Sequence, residues 1–128
     1  MSYYFSKTVS GKFDKIEEKV TNLLKEEGFG VLTEIDIQET LKKKLDVSFR
    51  KYKILGACNP PFAYKALQTE NKIGLMLPCN VILQETSNNN IEVSAINPSA
   101  SMDAVGNADL TLVSEQVSEK LKKVIDNL

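Results

Sequence analysis

Hydrophobic residues recur along the chain with two periods, which predict alternating strands and helices. The segment from Tyr3 to Val9 is rich in the aromatic and β-branched residues of strands, and Ser10-Gly11 ends it. The next segment has apolar residues at three- and four-residue steps, separated by charged ones, which predicts a helix with one buried face ending at Gly28. That face consists of Phe13, Ile16, Val20, Leu23 and Leu24.

A second strand is predicted by alternation of apolar and acidic residues. The apolar set is Val31, Thr33, Ile35 and Ile37. Because alternate strand residues point to opposite faces, we expect this set to share one face and Glu34 and Asp36 to share the other, which faces water. Asp36 and Glu39 then form an acidic variant of the capping box, and Leu41 and Leu45 predict a short helix.

Two prolines separate the third predicted strand from the next helix. Residues 52–58 alternate with period two up to Cys58, and Asn59-Pro60-Pro61 follows. Asn59 is suited to cap a helix, and Pro60 is suited to its first position. We expect this helix to end at Asn71 and to lay a narrow face of small residues on the sheet.

The remainder predicts a hairpin and a last helix. Residues 75–83 are an apolar run broken by Pro78, which predicts a strand with an edge position or a bulge at the proline. Three asparagines then turn the chain into a hairpin strand over residues 91–95. Residues 99–109 are small and polar and predict a loop, and residues 110–128 predict an amphipathic helix.

This order of elements predicts an α+β fold. A single, mostly antiparallel sheet of about five strands with its long helices on one face accommodates both the alternating strands and the one-sided helices. The length of 128 residues suits one domain over residues 1–128. Water, a ligand or a dimer partner could cover the open sheet face, and the polarity of Glu34, Asp36 and Glu92 favours water.

Composition narrows the classes of function. The chain has no His, which excludes His-dependent triads and imidazole metal clusters within it. Sixteen basic and seventeen acidic residues give a net charge of −1, so no general positive field attracts nucleic acid or anionic lipid, and neither is expected as a partner. Without a signal peptide or a membrane-length apolar run, we expect a cytoplasmic protein.

The two cysteines are the candidate chemical groups. A right-handed crossover would place the strands of Cys58 and Cys79 side by side in parallel, with the two thiols at similar heights. A helix N-terminus favours the thiolate, so Cys58 is the expected nucleophile. The simpler alternative is that both are small buried fillers. A metal or haem would need further ligands from carboxylates or a dimer, so no metal site is predicted.

The other polar groups are weaker candidates for a functional site than the cysteines. The two prolines remove backbone donors that a phosphate would need at the helix after Cys58. Glu34 and Asp36 are close enough for paired-carboxylate catalysis, although solvated strand residues are the simpler explanation. A basic cluster follows these carboxylates in the sequence, and such clusters usually form the solvent-exposed face of a helix. Its members are Lys42, Lys43, Lys44, Lys51 and Lys53.

Two motifs resemble those of the family called domain of unknown function 302. They are Gly56-Ala57-Cys58-Asn59-Pro60 and Leu77-Pro78-Cys79-Asn80-Val81, and the similarity extends from Gly28-Phe29 to Asn97-Pro98. The resemblance implies a TATA-binding-protein-like fold, with a curved antiparallel sheet backed by helices, and it implies no activity. Asn71 departs from the proline that the family often has there. The site that the resemblance carries over consists of Cys58, Asn59, Pro60, Pro78, Cys79 and Asn80.

Two functional hypotheses follow. In the first, Cys58 and Cys79 form a thiol-centred module that binds a small ligand or cycles between dithiol and disulfide. In the second, the chain is a structural or interaction module, a homodimer that buries one sheet face and leaves its cysteines inert. The sequence names no cofactor and leaves open whether the protein is an enzyme.

Overall fold

The computed structural model describes residues 1–128, and its strands and helices alternate in the predicted order. The strands are β1 (Tyr4–Ser10), β2 (Gly30–Asp36), β3 (Tyr52–Cys58), β4 (Cys79–Ser87) and β5 (Asn90–Ile96). The helices are α1 (Phe13–Glu26), α2 (Ile37–Leu45), α3 (Pro60–Thr69), α4 (Pro98–Ser101) and α5 (Thr111–Asp126). Three short 3-10 helices span Ile73–Met76, Met102–Val105 and Ala108–Leu110.

The five strands form one antiparallel sheet in the order β1-β5-β4-β3-β2, which confirms the predicted α+β class. One face of the sheet packs against α1 and α5, whose apolar stripes meet the inward side chains of the three central strands. The fully buried centre of this core consists of Val20, Leu24, Leu55, Val81, Leu83, Ile91, Val93 and Leu121. The long helices therefore lie on one face, as the one-sided periodicity predicts.

The expectation of a parallel pair around the cysteines is wrong. In the ladder between β3 and β4, Ala57 pairs with Cys79 and Tyr52 pairs with Gln84, so these strands run antiparallel. The connection through α3 leaves the sheet and re-enters it at the same end. A parallel pair would require that connection to return along the whole length of the sheet.

A bulge at Leu32 changes which side of β2 faces the core. Val31 packs against the core, but the register shifts before Thr33, so Leu32 is left over and is 68% exposed. Thr33 and Ile35 consequently lie on the opposite sheet face, and Ile37 begins α2. The expectation that these residues share one face with Val31 is therefore wrong.

The carboxylates of β2 have separate structural partners. Glu34 forms an ion pair with Lys53. The Lys53 Nζ lies 2.7 Å from Oε1 of Glu34 and 2.8 Å from Oε1 of Glu17 in α1. Burial alone lowers the pKa of Lys53, but the hydrogen bonds and charges of both glutamates outweigh burial and raise it. Asp36 accepts a hydrogen bond of 3.0 Å from the backbone N–H of Glu39, which confirms the predicted cap of α2.

Two boundaries around α3 differ from the prediction. The helix ends at Thr69 rather than Asn71, and the apolar run after it does not enter the sheet at once. Residues Ile73–Met76 form a 3-10 helix, and β4 begins only at Cys79. Pro78 therefore lies before the strand, where its missing N–H removes nothing from the ladder.

The segment predicted as a loop over residues 99–109 is mostly helical. Its turns cover a second, smaller core formed by Ala66, Ile73, Met102 and Leu110. The small polar residues of this segment concealed one buried apolar anchor, Met102, which packs beside Leu110. No helix of the chain is both long enough and apolar enough to cross a bilayer.

Candidate functional site

Both cysteines lie at the end of the sheet that α3 leaves. Cys58 is the last residue of β3, and Cys79 is the first residue of β4, opposite Ala57. The antiparallel register alone brings these two strand ends together. Both thiols are free. The two cysteines therefore lie at adjacent strand ends, and the predicted strand direction is wrong.

Both cysteines are among the residues that line an apolar cavity of about 280 Å³. The cavity lies between the sheet end, α3, the segment before β4 and the first turns of α5. Most of its wall is hydrophobic, and it includes Phe29, Phe62, Ala66, Leu77, Met102 and Val117. An apolar cavity of about 150 Å³ is sufficient to hold benzene, so this one has room for a somewhat larger molecule.

Burial differs between the thiols. Cys79 is only 8% exposed, whereas Cys58 is half-buried. Burial, and secondarily the charge of Cys58, raises the pKa of the Cys79 thiol to about 11. Because the thiolate is the nucleophile, Cys79 is a poor nucleophile near neutral pH. That Cys58 is the more reactive thiol stays a prediction, and its greater exposure agrees with it.

Asn59 has a different role from the one predicted. It occupies the residue before α3, and Pro60 takes the first helical position as expected, but the Asn59 side chain makes no capping hydrogen bond. Instead, its Nδ2 donates to the carbonyl oxygen of Glu27 at 3.0 Å. Asn59 is 7% exposed and lines the cavity. It thus ties the start of α3 to the end of α1 behind the cavity wall.

Pro78 closes the cavity from the other side. It lines the cavity and packs beside Gly56, where a Cβ atom would lie 2.7 Å from the Pro78 Cγ. The Leu77–Pro78 peptide bond is cis. Close approach of this proline to β3 requires the absence of a side chain at position 56.

Four of the six residues carried over from the family motifs therefore line one cavity: Cys58, Asn59, Pro78 and Cys79. Pro60 and Asn80 are exposed and lie outside it. Asn80 follows Cys79 in the strand, so its side chain points to the opposite sheet face. The members of the two motifs therefore do not all lie on one side of the sheet.

Sequence reasoning missed the far wall of the cavity. Phe62, Met102, Ser114 and Val117 contribute to it from three separate helical segments. The only sequence signal was the apolar stripe of the last helix, and residues that pack in the hydrophobic core produce the same stripe. Which members of such a stripe border a cavity depends on how the helices pack.

The charged groups do not converge on a metal or an anion. No set of three or more Cys, Asp or Glu side chains is placed to hold a metal ion. In the basic cluster, Lys42 and Lys43 pair with carboxylates of their own helix or its cap, and Lys53 pairs with two glutamates. These local pairs agree with a structural role for the cluster.

Comparisons with known proteins agree with the fold. The crystal structure of the uncharacterized conserved protein DUF302 from Bacillus stearothermophilus superposes with a TM-score of 0.90 and 24% sequence identity, covering 98% of each chain. None of the curated proteins matches the sequence significantly. The family described as "Domain of unknown function DUF302" matches residues 5–128, nearly the whole chain. The chain therefore belongs to the DUF302 family.

Proposed function

We propose that the protein binds a small apolar molecule in the cavity between α3, α5 and the cysteine-bearing strand ends. The observation that supports this proposal is the cavity itself. It has a volume of about 280 Å³, and its wall is almost entirely apolar. Ligand pockets are typically concave and apolar with a few polar groups that orient the ligand. Here, the orienting groups are the two thiols and Asn59.

Ligand binding is better supported than a dithiol–disulfide cycle. Exchange requires an attacking thiolate, and burial raises the pKa of Cys79 to about 11, so near neutral pH a cycle would depend on Cys58 alone for attack. Cys58 is half-buried and belongs to the residues that line the cavity. In this proposal the two cysteines contribute soft, polarizable groups to the cavity wall.

Naphthalene is a suitable probe, because it is apolar, uncharged and of modest size. We expect it to raise the Tm of the protein and to shift NMR amide signals around α3 and the start of α5. Ala63→Leu places extra side-chain volume in the cavity wall and should weaken binding by about tenfold or more. The matched control is Ala104→Leu at an exposed position, which should bind as the wild type does. Unchanged Tm and amide signals at saturating naphthalene would refute the proposal.

A second candidate is a homodimer formed through the sheet face opposite the core. Ile35, Ile54 and Ile82 pair across three adjacent strands and form an apolar row there. Ile35 is 46% exposed. Such a row is self-complementary about a two-fold axis, as a symmetric dimer requires. Sedimentation equilibrium tests this candidate, since Ile54→Lys should shift a dimer to monomer, and a wild-type monomer would exclude it.

A further inference from the structure

We propose that the ligand is amphipathic, with a cationic or hydrogen-bond-donating head group beyond the apolar cavity. This inference rests on the proposed function, because it concerns the same site. A second recess of about 410 Å³ adjoins the cavity, and the two share Met102 and Ser114 as lining residues. A molecule that passes this shared wall would occupy an apolar compartment and a polar one together.

The second recess differs in chemistry from the first. Its lining includes the carboxylates of Asp103 and Glu115 and the polar side chains of Asn107 and Thr111, with no Lys or Arg. Met1 also lines it. Neither Asp103 nor Glu115 has an ion-pair partner or a side-chain hydrogen bond within the chain. Their charges are therefore available to a ligand.

Helix α5 joins the two compartments. Thr111, Ser114 and Val117 are spaced three residues apart, so they follow one helix face from the polar recess into the apolar cavity. Ser114 lies at the boundary and is 5% exposed. Its hydroxyl donates to the carbonyl of Thr111 at 3.0 Å, which leaves its oxygen free to accept from a ligand N–H or O–H.

Met102 lies on the other side of the boundary. Its side chain is 8% exposed and lines both compartments. Methionine has three rotatable bonds and adapts readily to a neighbouring molecule. In this proposal a rotation of the Met102 side chain opens the wall between the two compartments without moving the backbone.

Three ligands of equal chain length separate the head-group preference from apolar binding. Octylamine, octanol and octanoate share the alkyl chain and differ only in the head. We expect octylamine to bind most tightly by titration calorimetry and octanoate at least about fivefold more weakly, which is within the range of exposed charge pairs. Added salt should reduce this difference.

The double variant Asp103→Asn, Glu115→Gln should abolish the preference for octylamine and leave naphthalene binding unchanged. Asp109→Asn changes a nearby carboxylate outside the recess and serves as the matched control. If naphthalene binds but the three alkyl ligands bind equally, or if the double variant keeps the preference, the head-group inference is wrong and the apolar site stands. Failure of naphthalene to bind would refute the proposed function and this inference with it.

Discussion

At the scale of single residues, the site is governed by how closely each side chain is enclosed. Cys58 and Cys79 have the same chemistry, but one is half-buried and the other nearly inaccessible. Both occupy strand ends that the sequence motif marks. The motif itself carries no signal for this difference, because burial depends on α5 and on the segment before β4, which pack from elsewhere in the chain.

The difference in burial predicts different rates of alkylation. In the folded protein at pH 8, iodoacetamide should modify Cys58 well before Cys79, because Cys79 is buried and its pKa is raised to about 11. Mass spectrometry of Cys58→Ser and Cys79→Ser measures each remaining thiol separately. In urea, both thiols should react at similar rates. Faster modification of Cys79 in the folded protein would contradict this assignment.

Adding a single methyl group at Gly56 should cause a steric clash. Gly56→Ala should lower the free energy of unfolding by about 1–3 kcal/mol, because its Cβ would collide with Thr33 and Pro78 beside the cavity. Gly30→Ala in the neighbouring strand is the control, since no atom lies within 4 Å of a Cβ there. Urea denaturation measures both variants. Equal stability of the two variants would show that Pro78 does not pack against Gly56.

At the scale of elements, the connections between strands and helices decide the geometry of the site. α1 ends near Gly28, which has a left-handed φ of +86° and adjoins the Asn59 side chain. α3 starts at the same place, with Asn59 donating to the carbonyl of Glu27. One side chain therefore joins the end of one helix to the start of another, and together they position the cavity wall.

Asn59→Asp distinguishes this tie from a helix cap. Aspartate is as good a cap as asparagine, so a capping role predicts an unchanged stability. In the structure, however, the substitution removes the Nδ2 donor and places a carboxylate against the Glu27 carbonyl, which should cost about 1–3 kcal/mol. Thermal and urea unfolding provide the measurement. Asp36→Asn is the control, because its side-chain oxygen can still accept from Glu39 and stability should hold.

At the scale of the whole molecule, one large core and one small core hold the chain together. The large core joins the sheet to α1 and α5, and the small core joins α3 to the segment before α5. The cavity lies where these cores meet, and Ala66 and Met102 belong both to the small core and to the cavity wall. The stability of the fold and the shape of the site are therefore coupled.

The buried thiol makes global stability depend on alkaline pH. Cys79 has a folded pKa of about 11 against an ordinary value of 9.0, so the unfolded chain loses this proton first as pH rises. The free energy of unfolding should begin to fall above about pH 9 and should be lower by about 2 kcal/mol at about pH 11. Lys53, whose pKa is also raised, adds a loss only above its ordinary value of 10.5.

Urea titrations between pH 8.5 and about pH 10.5 therefore isolate the contribution of Cys79. Cys79→Ala should flatten the decline in this range, whatever its stability at neutral pH. Cys58→Ala should retain most of the decline, because burial is the larger cause of the shift. An equal slope in wild type and Cys79→Ala would contradict the raised pKa.

The sequence by itself determined the element order, the fold class and the α2 cap, and it singled out the two cysteine motifs. These follow from local periodicity, from turn and cap residues, and from short motifs, all of which can be recognised within a few neighbouring residues. The tertiary structure decided the direction of β4 beside β3, the bulge at Leu32 and the helical turns over residues 98–110. It also decided the cavity, because a cavity is the space left between segments distant in sequence, and no local pattern records how closely they pack.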